Sequence, residues 1–517
     1  MQAIHRVAKN TGILYARMAI TVFISLYATR ILLGALGVED FGLFNVVGGA
    51  IAMLTFLNTA MAAATQRFIS YAQGAGDYQR LKTIFNVSIV LHFSIAIIIL
   101  LILEGVGYFL FNGILTIPGA RLTAAKIVFH FMVASTFFTI ISVPYDAVIN
   151  AHENMLLFAI LGIIESILKL GIAFYISYST FDKLATYGGL MAGLSTFLFL
   201  LRFIFCHKYY TECQIGITKY YSKPLFKEMT KFAGWSFLGS STSMLAGYGQ
   251  VIVINMFFGP LVNAAHGIGQ QVSGQLGAFA GTMLKALNPI IAKSEGAGNR
   301  SLMLKASMMG SKVSFFLLML FYIPVMIEMP YIFKLWLKQV PEYAVIFCQL
   351  VLIRTLIEQL YNTLIATIAA VGNIRKFQIY SSILNLFPLI ISYILFLFHL
   401  PAYSIFVVFI VYSIINGIIV LYFAKSDCDL SIAFYLRNVV SRSAISFSVV
   451  FLLSLIPYFF IKNIVFQLFL VIAISTISFL IVVWYIGFTE DERVRVGAVF
   501  KNVLRKVGII NKIIANQ

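Results

Sequence analysis

The chain is poor in charge. Only 11% of its 517 residues are Asp, Glu, Lys or Arg, and 61% are hydrophobic, whereas a soluble domain carries about a quarter charged residues. That shortage excludes an ordinary soluble enzyme or binding module and identifies a membrane protein. Cysteine is scarce as well: Cys206, Cys213, Cys348 and Cys428 show neither metal-ligand spacing nor an evident extracellular pairing, so neither a metal site nor a disulfide framework is expected. Long outer loops are missing too. The longest, around "KLWLKQVPEY", leaves no room for a catalytic or receptor domain, so no enzyme, catalytic residue or cofactor is expected.

What the chain does have is apolar length. Windows of ~20 residues, enough to cross ~30 Å of hydrocarbon as a helix, recur from Ile13 to Phe488. They are continuous rather than alternating, which argues for helices over strands. Fourteen spans are expected, including 41–64 and 262–290. With the N-terminus inside, 24 Lys and Arg fall on inner segments against 5 on outer loops, so both termini are expected in the cytoplasm. The formal net charge of +18 is then mostly topology and gives no support to nucleic-acid binding. "MQAIHRVAKN" is basic, but the apolar run after it is long, and no cleavable signal is expected. The basic tail 489–517 has helical apolar spacing that suits a helix lying on the inner leaflet.

A shift of 222 positions lays "ISYAQGAGD" (69–77) over "IAKSEGAGN" (291–299) and Gly37 over Gly259. The expected architecture is therefore all-α: two parallel six-helix lobes, 1–208 and 232–424, a basic linker 209–231, and two further helices in 425–488. Parallel repeats of this kind suit alternating access around a site between lobes.

Intramembrane charges mark candidate function, because each costs at least ~2.5 kcal/mol in hydrocarbon on insertion scales. Arg17 shares a helical face with Thr21, Ser25 and Ala28; the seventh span carries Ser236, Ser240, Ser243, Gly247 and Gln250 at i, i+4, i+7, i+11 and i+14. Lys285 shares a face with Gly267, Gln271, Gly274, Ala278 and Gly281. These polar stripes suit either close helix packing or a wet cavity. Arg17 and Lys285 are taken as cavity cations that imply an anionic ligand. Arg30, beside Glu39 and Asp40, is taken as an interface or ion-paired residue. Glu165 with Lys169, and Arg354 with Glu358, are read as i, i+4 pairs, structural or gating.

The stretches "LGALGVEDFGLFNVVGGAIAMLTFLNTAMAAATQRFISYAQGAGD" (33–77) and "GPLVNAAHGIGQQVSGQLGAFAGTMLKALNPIIAKSEGAGNR" (259–300) resemble the Wzx-type polysaccharide flippases of the multidrug/oligosaccharidyl-lipid/polysaccharide exporter superfamily. The resemblance implies a bacterial inner-membrane flippase that turns polyprenyl-pyrophosphate-linked oligosaccharide for O-antigen or similar surface polysaccharide. Its partners would be the lipid-linked oligosaccharide, membrane lipids and polysaccharide assembly proteins. Arg17 and Lys285 would hold the pyrophosphate. The alternative is a multidrug or cation antiporter of the same superfamily; such exporters typically place an acidic residue in the first lobe, and span 1 has none, although Glu104, Asp146 and Glu165 lie elsewhere in that lobe. A membrane glycan polymerase or ligase is the remote alternative.

Overall fold

A computed structural model describes residues 2–52, 56–114, 119–336, 340–494 and 496–497. Every regular element among them is helical, as a chain that must satisfy its backbone within lipid requires. In order they are α1 (Gln2–Ala52), α2 (Phe56–Gly74), α3 (Tyr78–Phe109), α4 (Leu122–Ile141), α5 (Val143–Ala151), α6 (Met155–Tyr178), α7 (Lys183–Tyr209), the short α8 (Ile217–Tyr220) and α9 (Lys223–Gly296). The chain continues with α10 (Arg300–Ile327), α11 (Met329–Trp336), α12 (Ala344–Val371), α13 (Arg375–Leu397), α14 (Ser404–Cys428), α15 (Ile432–Tyr435), α16 (Ser441–Phe460) and α17 (Ile464–Val482).

The chain is a multi-pass integral membrane protein, but with a different count of spans from the one expected. Twelve helices among the described residues are long and apolar enough to cross a membrane, not fourteen in two six-helix lobes plus two. The two expected spans that fall short are 41–64 and 262–290. Composition explains only the second. Residues 262–290 are helical but interrupt their apolar residues with five glycines, three glutamines, Asn263, His266, Lys285 and Asn288. Residues 53–55 of the other lie outside the described set, and α2 carries Asn58, Thr59, Thr65, Gln66 and Arg67. Most of the tail 489–517 also lies outside the described residues.

The chain divides into two compact units. The first holds Gly12–Ser240 with Gly296–Gly298; the second holds the N-terminal eleven residues, Ser241–Glu295 and everything from Asn299 onward. In the first unit, Ala28, Leu32 and Leu36 of α1 pack with Ala173 and Ile176 of α6 and Tyr187 of α7. In the second, the cores gather around α10, α12 and α14, with Val450 and Val471 joining from α16 and α17.

The 222-position repeat recurs in the backbone. Gly37 (φ 78, ψ 171) and Gly259 (φ 77, ψ −177) interrupt α1 and α9 in one conformation, which excludes side-chain-bearing residues without strain. Gly76 and Gly298 both have φ 71. Each closes a helix in the same way: Asp77 N–H donates to Ala72 O at 3.1 Å, and Asn299 N–H to Ser294 O at 2.8 Å. The same two residues then open the following helix, their side chains accepting from Arg80 N and Leu302 N at 3.0 Å.

Candidate functional site

In the first unit Arg17 lies against α6. Its guanidinium stacks over the Phe158 ring at 4.6 Å and occupies the space a Cβ would need at Gly162. Its Nε is buried without a hydrogen-bond partner. The charged groups that act on it are Glu165, Arg202 and Asp146. Both carboxylates are engaged elsewhere. Lys169 Nζ donates to Glu165 Oε1 at 2.7 Å, and Arg202 Nε to Asp146 Oδ1 at 2.8 Å. Three cations and two carboxylates thus meet within the helices of one unit, leaving a formal excess of one positive charge. Sequence spacing reveals the Glu165–Lys169 pair but not Asp146–Arg202, whose partners stand 56 residues apart.

The other residues of that stripe are quieter. Thr21 Oγ1 donates back to Met18 O at 3.2 Å, and Ser25 is exposed, its carbonyl accepting from Thr29 Oγ1 at 2.9 Å. Ser236 and Ser240, on α9, are half-buried in the same unit.

A cleft of about 550 Å³ opens further along α1, lined by Tyr27, Arg30, Ile31, Gly34 and Ala35, with Ser177 of α6 and Lys183 of α7. Of the two arginines in span 1, Arg30 lines this cleft and Arg17 does not. Asp40, expected as a neighbour for Arg30, is held instead by two guanidinium nitrogens of Arg121. The Glu39 side chain lies outside the described set.

In the second unit a polar network runs through the core. Arg354 Nε donates to Glu358 Oε1 at 2.8 Å, Ser413 Oγ donates to the same oxygen at 3.1 Å, and the Arg354 guanidinium lies 4.7 Å from the Phe409 ring centre. Asn385 Nδ2 donates to Thr242 Oγ1 at 3.3 Å and Ser243 Oγ at 3.1 Å, while its oxygen accepts from the Tyr412 hydroxyl. Gln250 is buried, its Nε2 without a partner. Lys285 is half-buried. The stripe it ends is open: Gly267, Gln271, Gly274, Ala278 and Gly281 are exposed, and a Cβ at any of the three glycines would meet no atom within 4 Å. Among the described residues no group of three or more His, Cys, Asp or Glu could hold a metal ion.

This is the fold of MATE transporters. The structure described as the outward-facing conformation of a multidrug resistance MATE family transporter of the MOP superfamily superposes with TM-score 0.70 at 12% identity, covering 82% of this chain and 95% of that one. MATE in the bent conformation gives TM-score 0.70 at 15% identity, with 86% and 98% covered. A MOP superfamily transporter from Pyrococcus furiosus, whose structure is described as showing reverse polarity of its binding pocket, gives TM-score 0.67 at 15% identity, with 82% and 95% covered. The family model MatE matches residues 16–175. No curated protein matches the sequence.

These findings correct the resemblance to Wzx-type flippases. The matching family model and the similar structures are of the MATE type, so lipid-linked oligosaccharide, O-antigen assembly and polysaccharide assembly proteins are not supported as substrate, role or partners. Gly37, Gly76, Gly259 and Gly298 in the stretches that carried the resemblance hold positive-φ turns, and a fold does not specify its cargo. Two of these structures are described as transporters.

Proposed function

We propose that the chain is a MATE-type secondary transporter that moves a small molecule across a bacterial inner membrane against an ion gradient, with both termini cytoplasmic. The observation that carries this is the fold likeness, which covers more than four-fifths of the chain. The ion-paired carboxylates within spans add the means of coupling: Asp146 and Glu165 in the first unit, Glu358 in the second. A carboxylate held by a neighbouring cation can exchange that partner for an incoming proton or Na⁺. These pairs are only partly buried, so exchanging a partner costs less than in a dry core, and one charge crossing 100 mV supplies about 2.3 kcal/mol. A gradient can therefore drive the exchange. In this reading Arg17 sets the charge balance around Asp146 and Glu165. Lys285, Gln271, Ser243 and the open stripe of α9 offer polar surface to a small molecule in the second unit, with Gln250 buried behind them; Thr21, Ser25, Ser236 and Ser240 offer polar groups in the first.

Flux in proteoliposomes tests the proposal. With an imposed pH or Na⁺ gradient, a panel holding ethidium and a fluorescent aryl carboxylate should include at least one compound that accumulates until an ionophore collapses the gradient. Glu165→Gln should slow that uptake about tenfold or more. Ionophore-insensitive leakage of every compound, identical to empty liposomes, would end the transporter reading.

A further inference from the structure

Two described carboxylates at the Lys183 end of the first unit, Asp40 and Asp182, are already engaged. Asp40 accepts from Arg121 Nε at 2.7 Å and from a second nitrogen of the same guanidinium. Asp182 accepts Arg121 Nη1 at 2.7 Å through one oxygen and the Ala185 N–H at 2.9 Å through the other. One arginine therefore bridges both carboxylates. Arg30 and Lys183, which line the cleft, carry no ion pair with a described residue. The cleft is thus positively biased, and Lys183 begins the 27-residue helix α7, whose N-terminal dipole has the same sign.

The remaining lining is chemically simple. The Ser177 hydroxyl donates to Ala173 O at 3.0 Å, so its proton is engaged and the charged donors are Arg30 and Lys183. Ile31 and Ala35 are apolar, and Tyr27 is 53% exposed. At about 550 Å³ the space is far larger than an inorganic anion needs and falls within the ~300–1,000 Å³ of small-molecule sites. Exposed Tyr175, Tyr178 and Phe181 stand at the same helix ends, the residue types of a membrane–water interface.

We propose that this cleft is an oxyanion-binding site that takes the carboxylate, sulfonate or phosphate group of a small amphiphile between Arg30 and Lys183, its apolar body against Tyr27, Ile31 and Ala35. Arg30 supplies a fork of donors suited to two oxygens, and Lys183 a point charge. A lipid headgroup offers the same chemistry as a free amphiphile. The site concerns equilibrium binding and stands whether or not its ligand is carried across the membrane.

The test uses the full chain in neutral maltoside micelles, with 1-naphthoate and its cationic counterpart 1-naphthylmethylammonium as probes in equilibrium dialysis. Naphthoate should bind saturably and at least tenfold more tightly than the ammonium. Arg30→Gln combined with Lys183→Gln should weaken naphthoate tenfold or more, and Arg30→Lys should weaken it less. Nanodiscs separate the sources: weaker naphthoate binding in phosphatidylglycerol than in phosphatidylcholine assigns the oxyanion to a lipid headgroup, and equal binding assigns it to a free amphiphile. Absence of saturable naphthoate binding, equal affinity for the ammonium, or unchanged affinity in the double variant would overturn the site. Each of those results leaves gradient-driven flux of other compounds unaffected, so the transporter reading fails or survives separately.

Discussion

At Gly162 a methyl group would collide with the Arg17 guanidinium. The missing Cβ is what lets a cation lie flat on α6 beside Phe158 and one turn from Glu165. Gly162→Val should therefore push the guanidinium off its seat. Because the displaced atoms belong to a long side chain, the protein should still reach the membrane in normal amounts, while gradient-driven flux falls. Arg17→Ala should insert at least as well as the native chain, since it removes a charge that is costly in lipid, and should lose flux. Arg17→Lys should fall between them, because it keeps the charge but not the planar contact with the ring. Flux normalised to membrane abundance checks the series; native flux in both Gly162→Val and Arg17→Ala would reduce Arg17 to a packing residue. That Arg17 is unusual is legible from its isolation in an apolar run. Its seat is not, because Phe158, Gly162, Asp146 and Arg202 come from other helices far along the chain.

The helix-ending turns show why one kind of element is legible and another is not. A shift of 222 positions finds Gly37 with Gly259 and Gly76 with Gly298 because positive φ excludes most other residues, and the structure gives each pair matching dihedrals. Backbone geometry of this kind leaves a mark on single letters. Span number does not: 262–290 keeps a helical polar stripe, which favours the helix, while its polar content takes it below the apolarity of a span, and residues 53–55 within 41–64 lie outside the described set. The turn also yields a ranking of stability. At Gly296 a Cβ would strike the Tyr71 carbonyl, a backbone group that cannot rotate away. At Gly298 nothing lies within 4 Å, and only the left-handed φ opposes substitution, a penalty of about 1–2 kcal/mol that Asn partly escapes. Gly296→Ala should therefore lower the melting temperature clearly more than Gly298→Asn. Equal shifts in detergent-solubilised protein would show that the contact with Tyr71 is loose.

Across the whole molecule, the class was readable from composition, while the ties that hold distant segments together were not. Lys312 shows this most sharply. It sits in α10 with a fully buried side chain, and its Nζ meets Glu492 Oε2 at 2.5 Å, 180 residues later. Glu492 is fixed in turn, its Oε2 accepting from Thr489 N–H at 2.8 Å, the arrangement of a capping box. Arg442 Nη1 donates to the carbonyls of Ile486 and Phe488 at 2.8 and 3.2 Å, and Phe488 packs edge-on against Phe316 of α10. The start of the tail thus belongs to the second unit's core, where composition alone suggests a helix resting on the lipid surface. The pair is asymmetric: the Lys312 side chain is 0% exposed and that of Glu492 21%. Removing the carboxylate leaves an ammonium in the core, whereas removing the lysine leaves a carboxylate near water. Glu492→Gln should accordingly cost about 3–5 kcal/mol, the scale of an uncompensated buried charge. Lys312→Met should cost clearly less, and Lys312→Met with Glu492→Gln should recover most of the loss. Chemical denaturation in mixed micelles measures all three variants against the native chain. If Glu492→Gln proved as mild as Lys312→Met, water would have to reach the lysine, and the tail would be resting on the bundle rather than closing it.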